Sequence, residues 1–184
     1  MNKITILSIV TLLAIIFSSC NNKEEQGVPA PIGNEFLTTT ILNLQNENNP
    51  SDKPSISYQV IGTNPVVINP DTLVLQRNSK YNCTIVILDV TKTPVDTVSN
   101  VIKERANYHL FFFRPSATLA LTDSITDHDT NVPALPVGLL SVITTGNSST
   151  GTLEVILRHQ PNVKNGTYPP GSTDLDVFYP VKIE

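Results

Sequence analysis

Apolar and polar residues alternate with a period of two along most of the chain after about residue 35. Ile56, Tyr58 and Val60 are separated by polar residues, and the same pattern recurs over 153–158 and 174–183. This period sends successive side chains to opposite faces of a strand, so the segments are predicted to be half-buried strands. Six further runs rich in Thr, Val, Ile, Leu and Phe fit the same scheme. They cover 36–44, 66–75, 81–90, 108–113, 117–122 and 139–145.

Eight or nine short strands with Asn-Pro, Thr-Pro and Pro-Pro-Gly turns between them predict an all-β fold. The expected architecture is a single antiparallel β-sandwich, immunoglobulin-like or related. One short helix is predicted over 96–107, where Val98 and Ile102 lie four residues apart after Asp96 or Thr97 as the N-cap. We expect this helix to be a crossover, because the strand-helix alternation of a doubly wound sheet is missing.

The amino-terminal residues 1–19 have the features of a lipoprotein signal peptide. Lys3 precedes an apolar run over 4–17 that is too short to span a bilayer and stop there. The residues Ser18-Ser19-Cys20 that follow resemble a bacterial lipobox, where signal peptidase II cleaves and the cysteine sulfur receives diacylglycerol. Cys20 is therefore predicted to be the acylated first residue of the mature chain, and an ordinary secretory peptide is the alternative. Each buried acyl methylene contributes about 0.8 kcal/mol, so two or three chains would anchor the protein permanently.

Residues 20–34 are predicted to be the lipidated cysteine and a flexible tether to a β-sandwich domain over 35–184. This stretch is polar, contains Gly and Pro and has no apolar period. Lys23, Glu24 and Glu25 resemble the surface-export signal of Bacteroidetes lipoproteins. We therefore expect a lipid-anchored protein of the outer membrane, on the cell surface, although a short charge run in a solvated tether would look the same.

Length and charge limit the possible functions. Loss of the 19-residue leader leaves 165 of the 184 residues, enough for one domain that buries about 70% of its unfolded surface. The formal net charge of the whole chain is −4, and Lys and Arg are scattered, so nucleic acid is not an expected partner. Cys20 and Cys83 are the two cysteines, and lipidation of Cys20 would exclude a disulfide within the mature chain.

Four segments resemble the signature segments of a little-characterised family of Bacteroidetes lipoproteins. They are YHLFFF at 108–113, PVGL at 136–139 leading to TTG at 144–146, GTL at 151–153 leading to LRHQP at 157–161, and TDLDV at 173–177. Members are often labelled type 1 periplasmic binding fold proteins, a label that implies two α/β lobes in nearly twice this length. The alternation here predicts a β-sandwich instead. The family is acid-rich before the histidine segment, whereas this chain reads KERAN at 103–107.

Two of the three histidines are candidates for binding a transition metal or haem iron. Strand parity puts His109 on one face with Phe111 and Phe113, and His159 on one face with Leu157. Both imidazoles would then lie at the ends of apolar strand faces, where they could meet across the rim of a sandwich and act as ligands. The alternative is that each is a histidine at the core edge, hydrogen-bonded to a loop carbonyl.

A second candidate site is a loop that spaces oxygen ligands as the first half of a calcium loop does. Asp127, Asp129 and Asn131 occupy alternate positions, but Val132 and Gly138 stand where an EF-hand needs Gly and Glu. The sequence leaves two interpretations open, a looser calcium site completed by another loop and a plain polar loop.

Catalytic motifs are sparse, and we expect a protein that is not an enzyme. The chain has no His-Glu-x-x-His and no phosphate-binding glycine loop. The segment GNSSTG at 146–151 lacks the nucleophile-elbow pattern and is better predicted to be a hairpin turn between its flanking strands. Cys83 lies among small apolar residues and is predicted to be buried and inert.

The sequence has features related to carbohydrate binding and to carbohydrate attachment. Sugar rings bind flat aromatic side chains, and this chain has no Trp, so glycan binding would depend on an exposed Tyr81 or Tyr168. Thr72, Thr97 and Ser124 each lie between an aspartate and an apolar residue, which resembles the O-glycosylation acceptor motif of Bacteroidetes.

Together these features predict an outer-membrane surface lipoprotein that serves as a non-catalytic ligand-binding accessory for nutrient uptake. It would present a metal ion or haem-like ligand to an outer-membrane receptor. The alternatives are a structural or adhesive surface lipoprotein without a small-molecule site, and glycan binding. A pocket that gathers His109, His159 and acidic side chains would favour the first hypothesis.

Overall fold

A computed structural model describes residues 37–61, 64–68 and 71–184, and for residues 60, 61 and 64–68 it describes the backbone only. This part of the chain is mostly strand and confirms the predicted all-β class. Cys20, Lys23, Glu24 and Glu25, and with them the signal peptide and the tether, lie outside the described residues. In the described part, no helix is long and apolar enough to cross a membrane. The strands are β1 Thr39–Asn46, β2 Ser55–Ile61, β3 Asn64–Ile68, β4 Leu73–Leu75, β5 Lys80–Leu88, β6 His109–Pro115, β7 Leu121–Ile125, β8 Leu140–Thr145, β9 Ser149–His159 and β10 Ser172–Ile183.

The strands form two sheets that pack as a sandwich. The six-stranded sheet has the order β3-β2-β1-β5-β8-β7 and is antiparallel throughout, and the four-stranded sheet has the order β4-β10-β9-β6. In the second sheet β4 pairs parallel to β10, and the other pairs are antiparallel. The single run predicted over 66–75 is thus two strands, because β3 and β4 belong to different sheets.

Alternation in the strands places the core between the two sheets. The burial pattern of β5 alternates residue by residue, and its inward positions are Tyr81, Cys83, Ile85 and Ile87. They meet the inward positions of β9 and β10, and the Tyr179 hydroxyl of β10 donates a 3.0 Å hydrogen bond to the Thr40 carbonyl of β1. The two sheets are thus joined by apolar packing and by a buried hydrogen bond.

The one α-helix among the described residues, α1 Val98–Glu104, connects β5 of one sheet to β6 of the other, as expected of a crossover. Thr97 occupies the N-cap position, although its side chain makes no capping hydrogen bond. Val98 and Ile102 lie on the same face of the helix and are fully buried in the core. The helix is therefore held by this apolar contact more than by its cap.

The segment 146–151 corrects a prediction. It does not form a hairpin turn, because β8 lies in the six-stranded sheet and β9 lies in the four-stranded sheet. The chain uses this segment to pass from one sheet to the other, and Gly146 and Ser149 fasten it to Ala120 through hydrogen bonds of 2.7 and 2.9 Å.

The loop between β9 and β10 is held against the sheet by two side chains. Arg158 donates to the carbonyl oxygens of Gly171 and Pro170, at 2.6 and 3.2 Å. The Gln160 amide is fully buried and donates to the carbonyls of Thr167 and Pro170, both at 2.8 Å. The RHQ segment of the sequence therefore orders this loop and fixes the position of its middle residue, the histidine.

Candidate functional site

His109 and His159 lie directly opposite each other on β6 and β9. The Gln160 N–H donates to the Tyr108 carbonyl at 2.6 Å, so the histidines occupy a non-hydrogen-bonded pair, where side chains of antiparallel strands come closest. Their rings are stacked, with centroids 5.0 Å apart and an interplanar angle of 12°. The two imidazoles, expected to be able to meet across the rim of the sandwich, meet instead on neighbouring strands of the four-stranded sheet.

The buried environment of His109 keeps its imidazole neutral. Nδ1 donates to the Arg105 carbonyl at 2.9 Å, which leaves Nε2 unprotonated, and buried Nε2 has no hydrogen-bond partner among the described residues. Burial lowers the pKa of His109 from 6.5 to about 4; the hydrogen bond to Arg105 opposes this, and the charges of His159, Arg105 and Lys164 add to it. A neutral imidazole with an unused nitrogen is the form that binds metals.

The present orientation of the two rings does not form a metal chelate. A metal ion lies in the plane of each ring that binds it, about 2 Å from the nitrogen, and two nearly parallel planes do not converge on one ion. The nearest acidic group to His159, Asp174, has Oδ2 4.0 Å from Nδ1. Among the residues that the structure describes, no three His, Cys, Asp or Glu side chains are grouped to hold a metal ion. A metal or haem site at this pair stays a prediction, and it requires one imidazole to rotate.

The candidate calcium residues have other hydrogen-bond partners. Asp127 accepts the N–H groups of Gly138 and Leu139, at 2.8 and 3.1 Å. Asp129 accepts the N–H and the side-chain amide of Asn131 at 3.0 and 2.8 Å. These bonds shape the loop between β7 and β8, and a calcium ion would have to replace them.

Asp129 also forms a buried ion pair that sequence analysis missed. The Lys164 ammonium lies 2.8 Å from Asp129 Oδ2, donates to the Ala106 carbonyl at 2.9 Å, and both charged side chains are at most 1% exposed. Burial alone would raise the pKa of Asp129, but hydrogen bonds from Leu135, Lys164 and Asn131 hold it below its usual range. A lysine in a polar loop has no sequence signal that distinguishes it from an exposed one.

A cleft of about 460 Å³ opens beside α1, and we call it the α1 cleft. One wall is the helix and its flanks, the floor is the middle of β5, and the other wall is the segment from Asp127 to Leu140. Its volume is in the range of small-molecule sites, and such sites are largely apolar with a few polar groups. The apolar lining consists of Ile85, Val86, Ala106, Val137, Leu139 and Leu140, and the polar lining consists of Thr84, Thr97, Ser99, Asn100, Lys103, Asp127, His128, Asp129 and Thr130.

The polar side chains of the helix wall have unused hydrogen-bonding capacity. Thr97, Ser99, Asn100 and Lys103 make no side-chain hydrogen bond or ion pair with another described residue. In contrast, the aspartates of the facing wall accept donors from the protein, as described above. The α1 cleft therefore offers a ligand several donors on the helix wall, and the exposed imidazole of His128 adds a polar group on the facing wall.

The two tyrosines considered as platforms for glycan binding differ in exposure. Tyr81 is fully buried, with its hydroxyl donating to Asp52 at 2.8 Å, so the expectation of an exposed platform there was wrong. Tyr168 is half-buried, with the guanidinium carbons of Arg114 and Arg158 at 4.1 and 4.6 Å from its ring centroid.

Cys83 is buried, and its burial raises the pKa of the thiol to about 12, which accords with an inert side chain. Of the candidate glycosylation residues, Ser124 is exposed on β7, while Thr72 and Thr97 are half-buried. Their modification stays a prediction.

In comparison with known proteins, no family model, curated protein or solved structure matched this chain.

Proposed function

We propose that this protein is an outer-membrane lipoprotein, anchored at the cell surface through Cys20, that binds a small ligand without catalysis and supports its uptake through an outer-membrane receptor. The observation that carries the proposal is the α1 cleft, in which an apolar floor lies beside polar groups that have no partner within the described chain. Unsatisfied donors next to apolar surface are what a bound small molecule would complete.

A ligand screen by thermal denaturation tests the proposal. The expected mature chain, residues 20–184 with Cys20→Ala, would be compared with Leu140→Arg, which places a charge on the cleft wall. Val163→Arg is the matched control, because Val163 is 50% exposed and Leu140 is 46% exposed. Compounds that stabilise the parent and the Val163 variant but not the Leu140 variant would support the cleft. Equal stabilisation of all three would contradict it.

A narrower form of the proposal makes a metal ion or haem the ligand, held by His109 and His159. It is supported by the stacked cross-strand pair and by the unpartnered Nε2 of His109. Titration with Cu²⁺, Zn²⁺ or haemin should then give binding that His159→Ala abolishes and His128→Ala, at an exposed position, leaves intact. Binding that is indifferent to both changes would refute this form alone.

A second candidate function is a structural or adhesive surface protein, and one observation favours it. The outward face of the six-stranded sheet carries no charged side chain over the middle of β1, β5 and β8, as expected for the centre of a contact surface. The outward residues there are Ile41, Asn43, Gln45, Asn82, Thr84, Val86, Leu140, Val142 and Thr144. Asn82→Lys, on the outward face of β5 but outside the α1 cleft, should reduce attachment of the native cells if this candidate holds, and unchanged attachment would reject it.

A further inference from the structure

We infer that the α1 cleft takes a small amphiphilic anion, an apolar tail bearing one carboxylate, with the carboxylate at Lys103. This inference rests on the proposed function, since it names the ligand class of the same cleft. The ligand class is inferred from which polar side chains of the cleft already have hydrogen-bond or ion-pair partners within the described chain.

Both carboxylates of the cleft accept hydrogen bonds from within the protein. Asp127 accepts two backbone N–H groups. Asp129 accepts the Leu135 N–H at 2.8 Å together with the Asn131 and Lys164 donors, and its charge is neutralised by the buried lysine. Asp129 gives a cationic ligand little to gain, because its charge is already neutralised and four donors occupy its two oxygens. Asp127 is held in place by its two backbone donors.

The helix wall of the cleft carries a lysine that has no ion-pair partner in the described part of the chain. Lys103 is exposed, lies in the last turn of α1 and forms no ion pair with a described residue. Its neighbours on the same wall, Thr97, Ser99 and Asn100, add donor groups that are also unused. This wall presents one ammonium group and several unused hydrogen-bond donors. It therefore suits a polar ligand group that only accepts hydrogen bonds, and a carboxylate is such a group.

The floor of the cleft fits an apolar tail. Val86 and Leu140 face outward on β5 and β8, and Leu140 is 46% exposed although it is a large apolar residue. Val142 continues this apolar surface along β8, away from α1. Covering these side chains with a hydrocarbon chain removes apolar surface from water, at about 25 cal/mol per Å².

Calorimetry with decanoate and 1-decanol tests the inference, because the two probes share a tail and differ in the head. The protein is residues 20–184 with Cys20→Ala, at low ionic strength so that the charge is not screened. Lys103→Gln should weaken decanoate binding about fivefold and change decanol binding by less than twofold. Leu140→Asn should weaken both probes about fivefold, and Val163→Asn should weaken neither.

The outcomes separate this inference from the proposed function. If decanol binds and Leu140→Asn weakens it, but Lys103→Gln leaves decanoate unchanged, the anionic ligand class is refuted and the cleft stands. If neither probe binds to a protein whose circular dichroism shows folded β-structure, the inference is overturned as well. The thermal screen with Leu140→Arg then decides the proposed function separately.

Discussion

Replacing the buried His109 by glutamine should make the protein less sensitive to acid. Glutamine keeps an N–H donor for the Arg105 carbonyl, which His109 contacts at 2.9 Å, and removes the titration. In the wild type the folded state disfavours the imidazolium, because the pKa of His109 is lowered from 6.5 to about 4. The glutamine variant has no such difference between its folded and unfolded states.

The magnitude follows from linkage between proton binding and folding. Above pH 6.5 neither state binds the proton, and the contribution of the neutral imidazole is fully present. Between pH 6.5 and 4 the unfolded chain binds a proton that the folded chain does not, so stability is lost as the pH falls. A pKa lowered from 6.5 to about 4 corresponds to a total loss of about 3 kcal/mol.

Urea denaturation at pH 7.5 and pH 4.5, with EDTA present to exclude metal, measures this loss. The free energy of unfolding should fall by about 2 to 3 kcal/mol more in the wild type than in His109→Gln over this interval. His128→Gln, at an exposed position, is the control and should follow the wild type. Parallel profiles for the wild type and His109→Gln would refute the argument that burial of this imidazole governs acid sensitivity.

Two further predictions concern buried contacts outside the histidine pair. Lys164→Met should destabilise the protein by about 3 kcal/mol in urea denaturation, because it leaves the fully buried Asp129 carboxylate without its cation. Gly171→Ala should cost about 2 kcal/mol more than Gly166→Ala in the same assay. Both glycines have φ near +80°, so the backbone penalty is shared, but only at Gly171 would a Cβ overlap with the carbonyl oxygen of His159.

Exposed counterparts provide the controls for these changes. Lys182→Met removes an ion pair with Glu184 in which the two side chains are 51% and 56% exposed, and it should cost less than about 1 kcal/mol. An equal cost for Lys182→Met and Lys164→Met would mean that burial does not set the energy of the inner pair. Equal costs at the two glycines would mean that the close approach to His159 is relieved by movement of the loop.

The period of two was sufficient to predict most of the strands and the position of both histidines at the ends of apolar strand faces, but not that their strands are neighbours. Once β6 and β9 pair, parity alone puts His109 and His159 on the inner face. The pairing of Lys164 with Asp129 had no such basis, because the two residues lie 35 positions apart in separate loops, where no period applies. Tyr81 was wrongly expected to be exposed, although its position on β5 has the same parity as the core residue Cys83.

The contact of the polar side of α1 with the rest of the α1 cleft could not be predicted from the sequence either. Val98 and Ile102 revealed the buried face of α1, but a helix pattern says nothing about what faces its polar side. That the polar side meets β5 and the segment 127–140 depends on the route of the chain between the two sheets. Contacts of this kind are set by topology, which the alternation of residues does not encode.

The edge strands of the four-stranded sheet affect the tendency of the protein to aggregate at high local concentration. At one border the Phe111 N–H, which would otherwise be open to another chain, donates to the Val137 carbonyl at 2.7 Å. At the other border stands β4, which is three residues long. Short or occupied borders resist the strand addition that begins aggregation. Copies of this chain at high concentration would therefore be protected from joining through this sheet into fibrils.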